Sequence, residues 1–220
     1  RMLVRHSDGD WAGYAYRWNA DDSEAYLVDQ AGVDVDLGDG GALWSIPSRV
    51  QCLGCHTTGR GRSLGPETAQ MNRTHHYPAS NVDANQLLTL GHIGLLPSTF
   101  DTPGSYPQLP APGNSALPAP ERARSYLHAN CAHCHPGPGA KPNLLYTTAF
   151  ADMELCNVTP TTPVPGGTNL LVPTDPDHSI LALRMNALDS NRMPRLGSRR
   201  LDPLGTGLIH AWITATTTCP

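Results

Sequence analysis

The chain has 220 residues, enough for one domain or two small ones, and carries 15 Lys and Arg against 19 Asp and Glu for a formal net charge of −4. That balance excludes a polybasic surface for nucleic acid, and no apolar run approaches the ~18 residues of a membrane-spanning helix. Gly and Pro number 21 each, while only Phe100 and Phe150 represent phenylalanine, so a loop-rich chain with a thin core of its own is expected.

Arg1-Met2-Leu3-Val4 reads as a strand already under way, so a leader, or more, is expected before it. Trp11, Tyr14, Tyr16 and Trp18 contain an i, i+2, i+4 run, the alternation of a strand with one aromatic face. Ala25-Tyr26-Leu27-Val28 reads as a second strand, with Asn19-Ala20-Asp21-Asp22 turning between them. Val33 and Val35 alternate with Asp34 and Asp36, and Asp39-Gly40-Gly41 is a turn. The acidic string lacks the bidentate Glu of a calcium loop and reads as a solvated hairpin. Residues 1–47 are thus a small antiparallel β unit.

Cys52-Leu53-Gly54-Cys55-His56 follows, and Cys131-Ala132-His133-Cys134-His135 repeats its pattern. Each is C-x-x-C-H, the attachment signal of a c-type haem. Two thiols three positions apart reach the two vinyl groups of one porphyrin, and the next residue presents an imidazole to the iron. A zinc site does not require the trailing histidine that occurs both times. A thioredoxin-like pair needs a βαβ setting that the pattern lacks. Two haem c groups are therefore expected, with His56 and His135 as proximal iron ligands. A haem is also a large apolar plate, and it lets a unit of about 50 to 100 residues bury enough surface to be stable.

Ser48 can cap a short helix carrying the first motif, and Gly59, Gly61 and Gly65 form a loop able to lie against a porphyrin edge. Asp83-Ala84-Asn85-Gln86 looks like a capping box opening a helix with Leu87, Leu88, Leu90 and Leu95 that ends near Gly94. This first unit spans 48–96. Residues 97–120 hold Pro97, Pro103, Pro107, Pro110, Pro112, Pro118 and Pro120, and read as a semi-rigid extended linker. The second unit spans 121–220. In it Ala123, Leu127 and Cys131 fall on one face of a helix that ends at the second motif. Residues 136–175 are mostly loop. Asp177 or Ser179 caps a helix with Ile180, Leu181, Leu183 and Leu188. Asp202-Pro203 opens the last helix, with Leu204, Leu208, Trp212 and Ala215 as its buried stripe.

With four of six cysteines assigned to haem, Cys156 and Cys219 are left, and a disulfide between them is expected. Haem attachment and a disulfide together indicate a periplasmic or extracellular location.

The order of helix, C-x-x-C-H, loops, helix, Met-Pro and final helix resembles a class I cytochrome c domain, and the first unit resembles a shortened version of it. Over nearly its whole length the chain is similar to a family of secreted bacterial dihaem c-type cytochromes. The residues that carry this are the Trp11 to Trp18 stretch, Leu64-Gly65-Pro66-Glu67-Thr68 with Asn72-Arg73, Asn85-Gln86-Leu87, Tyr126 to Cys131, Asp175-Pro176-Asp177-His178-Ser179 and the Arg192-Met193-Pro194 loop. Members of that family begin further upstream, which implies a longer chain before Arg1. The resemblance implies a mainly α, loop-rich fold: two cytochrome c-like haem domains beside the N-terminal β unit. It implies Met193 as the distal ligand of the second haem, a soft thioether that raises the potential. In the equivalent place for the first haem stand Met71, His75 and His76, one of which is expected to ligate. His128 and His133 are expected as propionate partners or surface residues. The implied function is electron carriage or relay to redox partner proteins. The alternatives are a subunit of a polymeric or multi-subunit cytochrome assembly, and a dihaem peroxidase-like enzyme with one open haem.

Overall fold

The computed structural model describes residues 1–58, 61–137 and 141–220. Gly59 of the glycine loop and residues 138–140 of the long second loop lie outside the described residues. Among the described residues, eight short strands pair with their sequence neighbours into four two-stranded antiparallel sheets. β1 (Met2–Arg5) pairs with β2 (Trp11–Tyr14), and β3 (Tyr16–Trp18) with β4 (Ala25–Leu27). β5 (Val33–Val35) pairs with β6 (Trp44–Ile46), and β7 (Thr74–Tyr77) with β8 (Val82–Asn85). The aromatic run from Trp11 to Trp18 is therefore split between two sheets at Ala15.

The described residues also form six α-helices, α1 (Arg49–Cys55), α2 (Thr68–Met71), α3 (Gln86–His92), α4 (Ala119–Cys131), α5 (Ile180–Asn186) and α6 (Pro203–Ala215), besides three short 3-10 turns. Only α4 and α6 reach 13 residues; the others have seven or fewer. Helix takes 29% and strand 16% of the chain, a mixed α/β composition. This overturns the expectation of a mainly α protein made of two cytochrome c-like haem domains. The physical cause is local. α1, α2, α3 and α5 last only one or two turns, α3 being stopped by the left-handed Gly94, and a hairpin, β7–β8, occupies the middle of the first unit where a helical plan was expected.

The core sits in the second half. α4 buries Ala123 and Leu127, α5 buries Ile180 and Ala182, and α6 buries Ile209, Trp212 and Ile213. The long loop between them adds Leu144, Met153, Leu155 and Leu171. The stripe on α6 is rotated from the expected one. Leu208 and Trp212 are inside, but Leu204 is half exposed and Ala215 exposed, and Ile209 and Ile213 take the inner positions. α4 and α6 cross at a glycine: a Cβ on Gly205 would lie 2.2 Å from the Tyr126 ring. Asp202 caps α6 by accepting from the N–H groups of Leu204 and Gly205. A disulfide joins Cys156 to Cys219, closing the core loop onto the segment after α6.

The first half buries far less, chiefly Val35, Ile46 and Leu87. The Pro-rich stretch is fastened to both halves. Asn72, buried, donates from its amide nitrogen to the carbonyls of Pro103, Tyr106 and Pro107 at 2.8, 3.0 and 3.3 Å. Ser125 and Arg122 of α4 donate to the carbonyls of Pro110 and Pro112. Among the described residues, no helix is long and apolar enough to cross a membrane.

Candidate cofactor site

α1 starts where Ser48 makes reciprocal bonds with Gln51: Gln51 N–H donates to Ser48 Oγ, and Ser48 N–H donates to Gln51 Oε1. The helix is one motif long, so its last turn delivers Cys52, Cys55 and His56 together. β2 passes directly over Cys52, whose Sγ would lie 2.6 Å from a Cβ at Gly13. Only glycine allows that approach. His56 Nδ1 lies 2.7 Å from the Arg62 carbonyl, and Arg62 Nη1 donates back to the His56 carbonyl at 2.8 Å. A carbonyl only accepts, so the ring proton is on Nδ1 and the Nε2 lone pair is the one left for a metal.

The second motif closes the end of α4. Leu127 and Ala123, fully buried, pull the helix against the core, and Cys131 follows on the same face. The N–H groups of Cys134 and His135 both donate to the Cys131 carbonyl at 3.0 Å, which turns Cys134 and His135 back beneath the helix end. Burial pushes the Cys131 thiol up to about 12, with the Cys134 sulfur adding to the effect. His135 Nδ1 is buried without a hydrogen-bond partner of good geometry. Burial holds this imidazole below its ordinary range, opposed by the nearby carbonyls of Lys141 and Pro142. A buried, neutral imidazole is the form that binds a metal.

The two motifs meet. The ligand atoms of Cys55, His133 and Cys134 all lie within 4.8 Å of one another. Burial pushes the Cys55 thiol up to about 11, and the adjacent Cys134 reinforces the shift. Behind this contact lies a cavity of about 660 Å³. Cys131, Cys134, His135 and Met193 all line it, and Gly54 and Cys55 of α1 form part of its wall. Much of the remaining lining is apolar, with Leu144, Leu155, Leu170, Ile180, Leu181 and Leu196. Met193 is hung from α5 by its own N–H, which donates to the Arg184 carbonyl at 3.0 Å. Its neighbour Arg192 is a buried strut. It donates to the carbonyls of Ser198, Ala187 and Arg200 and to the Ser198 hydroxyl.

This donor set fits a haem at the second motif. Two thiols, an imidazole and a thioether share one cavity, its size lies within the ~300–1,000 Å³ of cofactor pockets, and its apolar lining suits a flat macrocycle. At the first motif the attachment residues and an oriented His56 are in place, but none of His56, Met71, His75 and His76 lines the large cavity. Met71 ends α2, half-buried. His75 and His76 lie exposed on β7, His75 edge-on to Tyr77 at 4.9 Å and His76 with Nδ1 2.9 Å from Asp83. His128, expected as a propionate partner or a surface residue, has a largely buried side chain and does not line the large cavity. Its Nδ1 accepts from the Tyr146 N–H at 3.0 Å and its Nε2 donates to Glu67 at 2.8 Å, tying α4 to the start of α2.

Sequence reasoning missed several residues that hold the site. Arg199 and Arg200 of the loop after Met193 pair with Asp34 and Asp39 of the β5–β6 hairpin, so part of the acidic string is tied to that loop. Arg192 and Asn72 are polar anchors inside the fold, and only their opposite-charge or amide chemistry, not their neighbours in sequence, hints at it. No protein-family model, no curated protein and no solved structure matches the chain.

Proposed function

We propose that the chain is a dihaem c-type cytochrome that relays electrons outside the cytoplasm to redox partner proteins. Cys52, Cys55 and His56 would hold one haem, and Cys131, Cys134 and His135 the other, with the Met193 thioether as a further ligand to the latter. The observation that carries the reading is the single apolar cavity shared by Cys131, Cys134, His135 and Met193. A bound haem supplies a one-electron couple at iron. The protein residues do the rest. The thiols would fix the group in place and the leucines would exclude water from it, while the Arg62 carbonyl orients His56 and Arg192 positions Met193. The contact of Cys55 with Cys134 supports a relay, because it brings the two attachment points side by side. The Cys156–Cys219 disulfide supports an oxidising compartment.

Expression with a haem-attachment system tests this directly. Intact-mass measurement should show two haem additions, one lost when Cys52 and Cys55 become alanine and the other lost when Cys131 and Cys134 do. Met193→Ala should open one reduced iron to carbon monoxide and abolish the His/Met signature. A chain that gains no covalent haem sinks the proposal. If that chain instead copurifies with zinc lost on Cys55→Ala or His133→Ala, the Cys55–His133–Cys134 group is a soft-metal site.

A further inference from the structure

His133 occupies a variable position of the second motif, so the C-x-x-C-H pattern itself asks nothing of it. Yet it is half-buried, and it shares a corner of the fold with Cys134 and with Cys55 of the first motif. Two sulfurs and an imidazole nitrogen all lie there within 4.8 Å of one another. Among the described residues, this is the one group of three His, Cys, Asp or Glu side chains placed to hold a metal ion.

Separate structure places each donor. Cys55 ends α1, which is pressed on one side by β2, where Gly13 lies over Cys52, and on the other by Leu196 at Gly54. His133 and Cys134 sit in the turn that closes α4. In that turn the Ala132 N–H donates to the Leu127 carbonyl at 3.1 Å and the Cys134 N–H to the Cys131 carbonyl at 3.0 Å. Ala123 and Leu127, fully buried, root α4 in the core. Packing and backbone bonds thus assemble a set that neither motif holds alone. Two thiols and an imidazole are donors that suit zinc, whereas calcium and magnesium take oxygen. A tetrahedral zinc with sulfur at ~2.3 Å and nitrogen at ~2.0 Å sets its ligand atoms roughly 3.5–3.8 Å apart. Small side-chain rotations bring the three atoms to that spacing. All three residues also line the large cavity, which leaves room for a water in the fourth position.

We infer that the chain with free thiols binds one zinc ion between its two motifs, through Cys55 Sγ, the His133 imidazole and Cys134 Sγ. Binding exchanges two S–H bonds for two Zn–S bonds and releases two protons to solvent, with no change of oxidation state. The inference goes beyond the haem reading. Thioether formation consumes both sulfurs, so zinc and haem exclude each other, and the site belongs to the unmodified chain. There the ion gives α1, which buries no residue of its own, an anchor on the core-rooted end of α4. An ion held only by the folded chain stabilises it by mass action.

The test uses the full chain produced without haem attachment. Phosphine reduction is kept mild enough that a thiol count finds four free thiols and the Cys156–Cys219 bond stays closed. Zinc is titrated against a chromogenic chelator, and Co2+ serves as its coloured substitute. The parent should bind one ion per chain, with the sulfur-to-metal absorption and strong visible bands of a tetrahedral thiolate site in its Co2+ form. Cys55→Ser and His133→Ala should each weaken binding by more than ~10-fold, since loss of an outer-shell partner alone costs that much. Both should also abolish the rise in thermal midpoint that zinc gives the parent. If His133→Ala fails to fold, Cys55→Ser decides. A parent that takes up no stoichiometric zinc overturns the inference. So does an equal loss of affinity in Cys52→Ser, His56→Ala or His135→Ala, because the ion would then sit inside a single motif. The haem reading is judged separately: haem uptake by a chain whose unmodified form ignores zinc sinks the zinc site alone. Zinc held through Cys55 and His133 in a chain that never gains haem does the opposite.

Discussion

The two C-x-x-C-H segments share a five-residue pattern and little else. The first rides on α1, a seven-residue helix with no buried residue. It is held by its cap, by Arg49 over the Tyr14 ring at 4.5 Å, and by the exchange between His56 and Arg62. The second ends a 13-residue helix rooted in the core, and its histidine lines a cavity walled by four helices and a disulfide-closed loop. A short motif thus specifies which side chains come together without specifying what supports them. The second is organised by protein packing with the core. The first leans on the second, through Cys55 against Cys134 and through Gly54, where a Cβ would lie 3.3 Å from Leu196.

That asymmetry can be broken from the core side. Trp212→Ala removes the largest buried side chain and its 5.4 Å contact with Phe150. It should cost about 3–5 kcal/mol in denaturant unfolding and disturb the second site most. A loss below ~1 kcal/mol would show that the second half is not the stability centre. Cys156→Ser with Cys219→Ser should cost about 2–4 kcal/mol, read as a lower thermal midpoint that a reductant no longer changes. Gly205→Ala places a methyl against Tyr126 and should cost about 1–3 kcal/mol; an unchanged melt would mean that α4 and α6 can separate without penalty. The smallest effect should come from the first side. Ser48→Ala should cost about 1 kcal/mol, visible as faster amide hydrogen exchange over residues 49–55 with residues 119–131 unaffected. If protection falls equally in both segments, the two sites are one cooperative unit and the contrast drawn between them is wrong.

What the sequence made legible was the chemistry with short-range signatures. Ser48 before Gln51, Asp202 before Pro203, and the buried spacing of Ala123, Leu127 and Cys131 are local patterns, and the leftover pair Cys156 and Cys219 is bonded. The mainly α plan failed where local signals are weakest. Thr74-His75-His76-Tyr77 has no apolar alternation, because the hairpin it forms lies largely exposed, so its residues read as ligand candidates in a loop rather than as a strand. Long-range pairs were invisible for a different reason. Asp34 with Arg199, or Asn72 with Pro103, are contacts across 165 and 31 positions, fixed only by the folded path. Arg192 is the instructive case. Nothing in the residues around Met193 signals a buried arginine, yet Arg192 is buried and its donors hold that loop in place.

The meeting of Cys55 with Cys134 bears on how such a molecule is made. Thioether formation and disulfide formation draw on the same sulfur atoms, and thiols that touch in a finished fold are the ones an oxidant couples first. An unmodified chain that folds completely offers two such couples, the structural one at Cys156 and Cys219 and a second between the motifs. Closing the second would staple α1 to the end of α4 and use one sulfur from each attachment site. On the dihaem reading, folding and modification are therefore rivals in time. The first motif, synthesised well before α4, has an interval in which its thiols have no partner to react with. A slow step in docking α4 onto α1 would then serve maturation, by holding the two sulfurs apart until each has been alkylated.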